Sequence, residues 1–286
     1  MYRTIVIHLD RTPSASTRLD LALSLAERCG AHLHAVFAIA DPALPGFGSR
    51  HRLVSLVPEA ADQEQQFYET TAHRGISSSW RTLVSAAEIG VSQDLILAAR
   101  FADLIMAGQF EPGVADGMVP PDLVDQLIMR SGAPVLIVPF AGRFTLLDER
   151  ALVAWNGSRE AARALRDALP LLTLASHVTI LALAAGNEAS DPTGEGVSQL
   201  LAHLQRHGIA AEADRLIFDP NAINAAERLL SHLADAGAGL LVMGGPGVAM
   251  SKARNYVREA LAALDAGKVV QTAVTQAYGC SVKYGS

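Results

Sequence analysis

Residues 4–10 read T-I-V-I-H-L-D and residues 151–156 read A-L-V-A-W-N, and after each comes an amphipathic helix. A second echo pairs A-D-L-I-M-A-G at 102–108 with A-G-L-L-V-M-G at 238–244. Each half therefore opens on a short apolar run, the pattern of a buried strand, with a polar residue, Asp10 or Asn156, at its tip. Each half later carries a strand that ends in glycine, Gly108 or Gly244. Ligands in open α/β sheets bind where strands end. The repeat thus predicts two related sites, and differences between the copies should show which one works.

Working outward from the first strand, a helix is expected over 17–28, with Leu19, Ala22, Leu23 and Ala26 at helical spacing. Thr17 with Asp20 resembles a capping pair, and Gly30 closes the helix. Further strands are expected at 31–40, 78–84, 102–108 and 133–139. Helices are expected at 58–74, 86–100 and 122–130, and 141–149 links the halves. The second copy repeats the order, with strands at 152–155, 177–184, 211–218 and 240–243. Its helices run over 158–172, with Ser158 as cap, over 197–206, ended by Gly208, and from Asp219-Pro220 to Gly237. Strands alternating with helices mean an α/β fold: a doubly wound parallel sheet with right-handed crossovers in each half. The domains are 1–141 and 149–286.

The chain has 286 residues, enough for two ordinary domains of about 140 each. Half of the residues are hydrophobic and 18% are charged, which suits sheets buried on both faces. A net charge of −6 with scattered basic residues argues against nucleic acid as a partner. No apolar run is long enough for a helical membrane span, and the N-terminus enters a strand without a signal-peptide pattern. A cytoplasmic protein is expected. The two cysteines, Cys29 and Cys280, cannot form a disulfide framework, and Cys29 reads as a small packed residue in a helix.

W-N-G-S-R-E-A-A-R-A-L at 155–165 and L-L-V-M-G-G-P-G at 240–247 resemble the universal stress protein family in its tandem form. The resemblance covers both halves up to about Gly247. It implies five parallel strands per domain in the order 3-2-1-4-5, the adenine nucleotide alpha hydrolase-like fold. It also implies ATP or another adenine nucleotide, bound in many members through a loop G-x2-G-x9-G-[ST], with Mg as the nucleotide's companion ion. In tandem members the halves pack as an internal pseudo-dimer, and the apolar content makes a further homodimer reasonable.

Glycines let backbone approach phosphates, and a helix N-terminus offers free N–H groups to an anion. On that physics the copies differ. The first keeps the strand-tip acid, Asp10, but follows Gly108 with Gln109, Phe110 and Glu111, a carboxylate that would repel phosphates. Pro120 and Pro121 stand near the expected Gly-Ser or Gly-Thr, and proline donates no N–H. Asp10 is equally readable as a turn former. The second copy keeps Gly244 and Gly247 with Gly245 between them, and its tip residue is Asn156, an amide able to pair with an adenine edge or ribose hydroxyl. Trp155 precedes it, and Ser251 is a hydroxyl donor at the next helix start. Nine residues past Gly247 stands Val257-Arg258 instead of Gly-Ser or Gly-Thr. An ordinary flexible loop is the plainer reading of Gly244 to Gly247.

From about Val248 the resemblance stops. A helix is expected over 251–265 and a strand over 269–275, while the stretch through Tyr284 resembles the C-terminal end of thioredoxin-like redoxin proteins, without a C-x-x-C pair. His203 and His207 lie four apart on one helix without the glutamate of a metalloprotease motif, and no metal set emerges. Three functions stand against one another: adenine-nucleotide binding in the second domain as a stress-response module, an interaction protein that has lost the nucleotide site, and an adenylate-processing enzyme supported by fold analogy alone.

Overall fold

Thr4–Leu9 forms β1, buried along almost its whole length, as an apolar run flanked by strands on both edges and helices on both faces must be. In this computed structural model, which describes residues 1–40, 58–85, 88–111, 119–140, 150–185, 194–218, 225–244 and 280–283, the chain divides into two units, Met1–Leu146 and Leu147–Ser286.

In the first unit the order is β1, α1 (Ser14–Cys29), β2 (His32–Ala40), α2 (Pro58–His73), β3 (Ser78–Ser85), α3 (Glu88–Ala99), β4 (Leu104–Gly108), α4 (Leu123–Arg130) and β5 (Val135–Val138). The strands lie in the order β3-β2-β1-β4-β5, all parallel, with Val6 opposite His34 and Ile105. This is the expected 3-2-1-4-5 sheet. Val6, Val36, Ile105 and Ile137 pack on one face with Val91 and Leu95 of α3 and Leu127 of α4. Side chains alternate across a strand, so Ile5, Ile7 and Phe37 turn to the other face. There Phe67 of α2 meets Trp80, which stacks on Phe37.

Helix α1 begins earlier than the capping pair predicted. Pro13 stands at its N-cap with φ −56°, a value its ring presets for a helix. Thr17 therefore lies inside the helix and caps nothing. The other end is as expected: Gly30 takes φ 60° and its N–H reaches the carbonyl of Glu27, the left-handed stop that glycine permits. Cys29 is buried, as a packed residue should be, and burial raises its thiol pKa.

The second unit contains β6 (Arg150–Trp155), α5 (Arg159–Leu172), β7 (His177–Ala185), α6 (Gly194–Arg206), β8 (Ala211–Phe218), α7 (Ala225–Asp235), β9 (Leu240–Gly244) and β10 (Cys280–Lys283). Four strands are parallel in the order β8-β7-β6-β9. Leu152, Ala154, Leu181 and Leu241 pack with Leu229 and Leu233 of α7. The fifth place departs from the expectation of five parallel strands: β10 pairs with β9 antiparallel, Val282 opposite Val242. The sequences carry the reason. Val-Leu-Ile-Val in β5 is apolar on both faces, whereas Cys-Ser-Val-Lys alternates, the pattern of an antiparallel strand with one wet face. The helix and strand expected over 251–265 and 269–275 lie outside the described residues, as does the start of the helix at Asp219-Pro220. No described helix is long and apolar enough to cross a membrane.

Candidate functional site

The carboxyl ends of β1 and β4 bring Asp10 and Gly108 to the start of α1, and the ends of β6 and β9 bring Trp155, Asn156 and Gly244 to the start of α5. Both tips are thus built as the repeat predicts, but they are filled differently.

At the first tip Asp10 is buried, and so is Arg18, one turn into α1. Arg18 donates from Nη2 to Asp10 Oδ2 at 2.7 Å and from Nε to the carbonyl of His8 at 2.7 Å. Its Nη1 lies over Gly108, where an ideal Cβ would come within 2.1 Å of it. Gly108 is therefore glycine to admit a guanidinium of the same chain. Asp10 Oδ1 also accepts from the Thr12 hydroxyl and from Thr12 N–H at 2.8 Å. Burial alone would raise the Asp10 pKa, but the Arg18 charge, His8 and the Thr12 bonds together hold it below 3.8. His8, fully buried, donates from Nε2 to the carbonyl of Ala38 at 3.0 Å. A neutral ring then leaves Nδ1 a bare acceptor, without a hydrogen-bond partner and 3.8 Å from Asp10 Oδ2. Burial, with Arg18 in support and Asp10 opposed, lowers the His8 pKa from 6.5. Glu111, just beyond Gly108, has a buried Oε2 without a partner. Pro120 is buried ahead of α4, its carbonyl accepting from Leu123 N–H at 3.0 Å.

Among the described residues the second tip has no such plug. Arg18 stands eight residues past Asp10, and the same step from Asn156 reaches Ala164, which is fully buried. Asn156 is exposed and its Oδ1 accepts from Ser158 N–H at 3.1 Å. Ser158 caps α5 as expected, accepting from Ala161 N–H at 3.2 Å. Glu160 in that first turn pairs with Arg159, whose hydrogen bond is the main cause lowering the Glu160 pKa. Trp155 is half-buried, and its Nε1, a donor only, is buried without a hydrogen-bond partner. Gly244 meets the helix directly: an added Cβ would stand 2.8 Å from Ala161 N and 2.8 Å from Glu160 C. Trp155, Asn156 and Gly244 are thus brought to one strand end, while Gly245, Gly247 and Ser251 lie outside the described residues.

Sequence reasoning missed Arg18. Its signal was present: Ser14, Arg18, Leu21 and Leu25 share the helical spacing of the buried face, which makes an arginine there a buried one that needs a partner. The His203 and His207 rings sit 4.7 Å apart, edge to face, and among the described residues no group of three metal-ligating side chains occurs.

No curated protein matches the chain. Among solved structures, a universal stress protein from Archaeoglobus fulgidus DSM 4304 is 15% identical, with 98% of this chain and 95% of that one covered and a TM-score of 0.64. A functionally unknown protein from Pseudomonas aeruginosa PAO1 is also 15% identical, with 99% and 92% covered and a TM-score of 0.53. At that identity the likeness is one of fold, and it spans both units. The family model described as the Universal stress protein family matches residues 1–139, the stretch that ends just past β5. Residues 1–139, nearly the whole of the first unit, are therefore similar to that family.

Proposed function

We propose that the chain binds one ATP or related adenine nucleotide, accompanied by Mg, at the strand end of its second unit, and serves as a nucleotide-responsive stress module. The observation that carries this reading is the contrast between the two strand ends. Arg18 bonds Asp10 and fills the first tip, while no described side chain bonds Asn156 at the second, where the same step along the chain reaches Ala164. Support also comes from Trp155 Nε1, a buried donor awaiting an acceptor, since a buried N–H left unpaired costs about 1–3 kcal/mol. Asn156 supplies an exposed amide beside it. Gly244, Gly245 and Gly247 with Ser251 would follow the phosphates. Asp10 is assigned to the Arg18 pair and not to a ligand.

Calorimetric titration of ATP with Mg into the full chain tests this. The expected result is one site per chain, weakened about tenfold or more by Asn156→Ala, the scale of one well-made polar contact. No heat from the folded protein overturns it.

One observation favours a second reading, an interaction protein without a nucleotide. The backbone of Glu160 and Ala161 already rests on Gly244, so this glycine has a packing role that needs no phosphate. That reading is upheld by absent ATP binding in a protein whose two units are both folded.

A further inference from the structure

The opposite end of the first unit's sheet, where the strands begin, holds a cavity of about 490 Å³. Its lining includes His32 and His34 of β2, Ser79 and Arg81 of β3, and Arg100 and Phe101 just after α3. Three features set its chemistry.

The first is charge. Arg81 and Arg100 are exposed and have no ion-pair partner among the described residues, and no carboxylate stands among the lining side chains. The nearby Asp103 is engaged elsewhere, accepting from the N–H groups of Arg3 at 2.7 Å and Thr4 at 2.9 Å.

The second is a hydrogen-bond relay. Ser77 Oγ lies 2.8 Å from His32 Nδ1, His32 Nε2 lies 2.7 Å from Ser79 Oγ, and Ser79 Oγ lies 2.8 Å from His34 Nδ1. Each hydroxyl has one proton, and each neutral imidazole has one N–H and one lone pair. The chain can therefore run in two directions. When Ser79 donates to His34 Nδ1, the remaining nitrogen, His34 Nε2, carries the proton. In the reverse direction Nε2 is a lone pair. His34 Nε2 has no partner among the described residues, so a bound group selects the direction.

The third is apolar surface. Phe101 is 87% exposed and Leu97 is 49% exposed, and both border the same cavity. A large exposed aromatic beside unpaired guanidinium groups suits a ligand with both parts.

We propose that this cavity binds a small organic anion, a phosphate or carboxylate head joined to a flat apolar body. The head lies between Arg81, Arg100 and His34 Nε2–H, and the body lies on Phe101 and Leu97. Binding sets the relay running toward the ligand. Burial, then His32 and Arg81, lower the His34 pKa from 6.5, so the free ring is neutral and becomes a donor without a change of charge. An anion close to it raises that pKa.

The test follows His34 by long-range proton–nitrogen NMR in the full chain, titrated separately with phenyl phosphate, benzoate and inorganic phosphate. Phenyl phosphate or benzoate is expected to fix His34 as the Nε2–H tautomer and raise its pKa, and the stronger of the two identifies the head. Arg81→Ala and Arg100→Ala should each weaken binding about tenfold, the scale of a charge-assisted hydrogen bond, and Arg81→Lys less. Ser79→Ala should leave binding detectable while the tautomer goes unselected. The proposal is overturned if His34 is unmoved at about ten millimolar of either aromatic probe, a concentration that would populate even a millimolar site. It is equally overturned if the response survives the double arginine variant with the fold intact. Inorganic phosphate binding as tightly as phenyl phosphate would remove the apolar half of the claim.

Discussion

The two strand tips are the same construction with different contents. In the first, a long charged side chain from α1 reaches back to the strand-end acid and covers Gly108. In the second, the same count from the strand tip reaches Ala164, and the helix backbone itself settles on Gly244. The same strand-to-helix construction is thus closed by a side chain at the first tip and by helix backbone against Gly244 at the second. Both tips keep a glycine, and for different reasons. Gly108 admits a guanidinium, and Gly244 admits a turn of helix.

Removing the plug has the largest expected effect. Arg18→Ala leaves Asp10 buried without its counter-charge, which should cost about 3–5 kcal/mol of first-unit stability. The two tryptophans fall one in each unit, so in a Trp155→Phe background Trp80 reports urea unfolding of the first unit alone. A loss well under about 1 kcal/mol, the worth of a surface pair, would mean that Arg18 does not hold the tip. Replacing Asp10 and Arg18 together by uncharged residues of similar size should recover much of the stability.

The glycines come next. Gly108→Ala and Gly244→Ala should each cost about 1–3 kcal/mol, the range for overpacking, read in the Trp155→Phe and Trp80→Phe backgrounds respectively. The two should differ in rescue. At Gly108 the obstacle is a side chain, so the penalty should shrink when Arg18→Ala is already present, giving a coupling of at least about 0.5 kcal/mol in a double-mutant cycle. At Gly244 the obstacle is backbone, and no side-chain deletion should relieve it.

The smallest effect is in pH. His8 is held neutral below its ordinary 6.5, so the unfolded chain takes the proton more readily. The first unit should lose stability as pH falls below 6.5, down to the lowered folded pKa. Asp10 acts lower: its contribution is present above 3.8 and is lost as pH falls from there through its depressed folded pKa. His8→Gln keeps a donor for Ala38 and cannot titrate, so its thermal midpoint should be flatter below 6.5. An unchanged slope would assign the loss to another group.

The fold was legible because each strand is a short apolar run between helical periods, and the parallel sheets follow from that alternation. Boundaries at Ala211–Phe218 and Leu240–Gly244 were readable to within a residue. Two features were not. The antiparallel β10 sits where a parallel strand was expected, because a four-residue alternating run carries little signal beside the longer apolar stretch before it. Arg18 was missed because a periodicity that counts apolar residues alone passes over an arginine standing on the buried face beside Ser14, Leu21 and Leu25. Glu111 and the prolines pointed to a difference between the two tips, and the residue that fills the first tip was not among them.

The contact between Arg18 and Gly108 has a consequence for how such chains diverge. The two positions lie far apart in sequence, yet neither can change freely while the other stays. A side chain larger than glycine at 108 is tolerated better once position 18 has shrunk, and a shrunken residue at 18 strands the acid at 10. In a lineage of related chains these three positions should vary together, and a tip that has become closed in this way reopens only through coordinated replacement, not through a single neutral step.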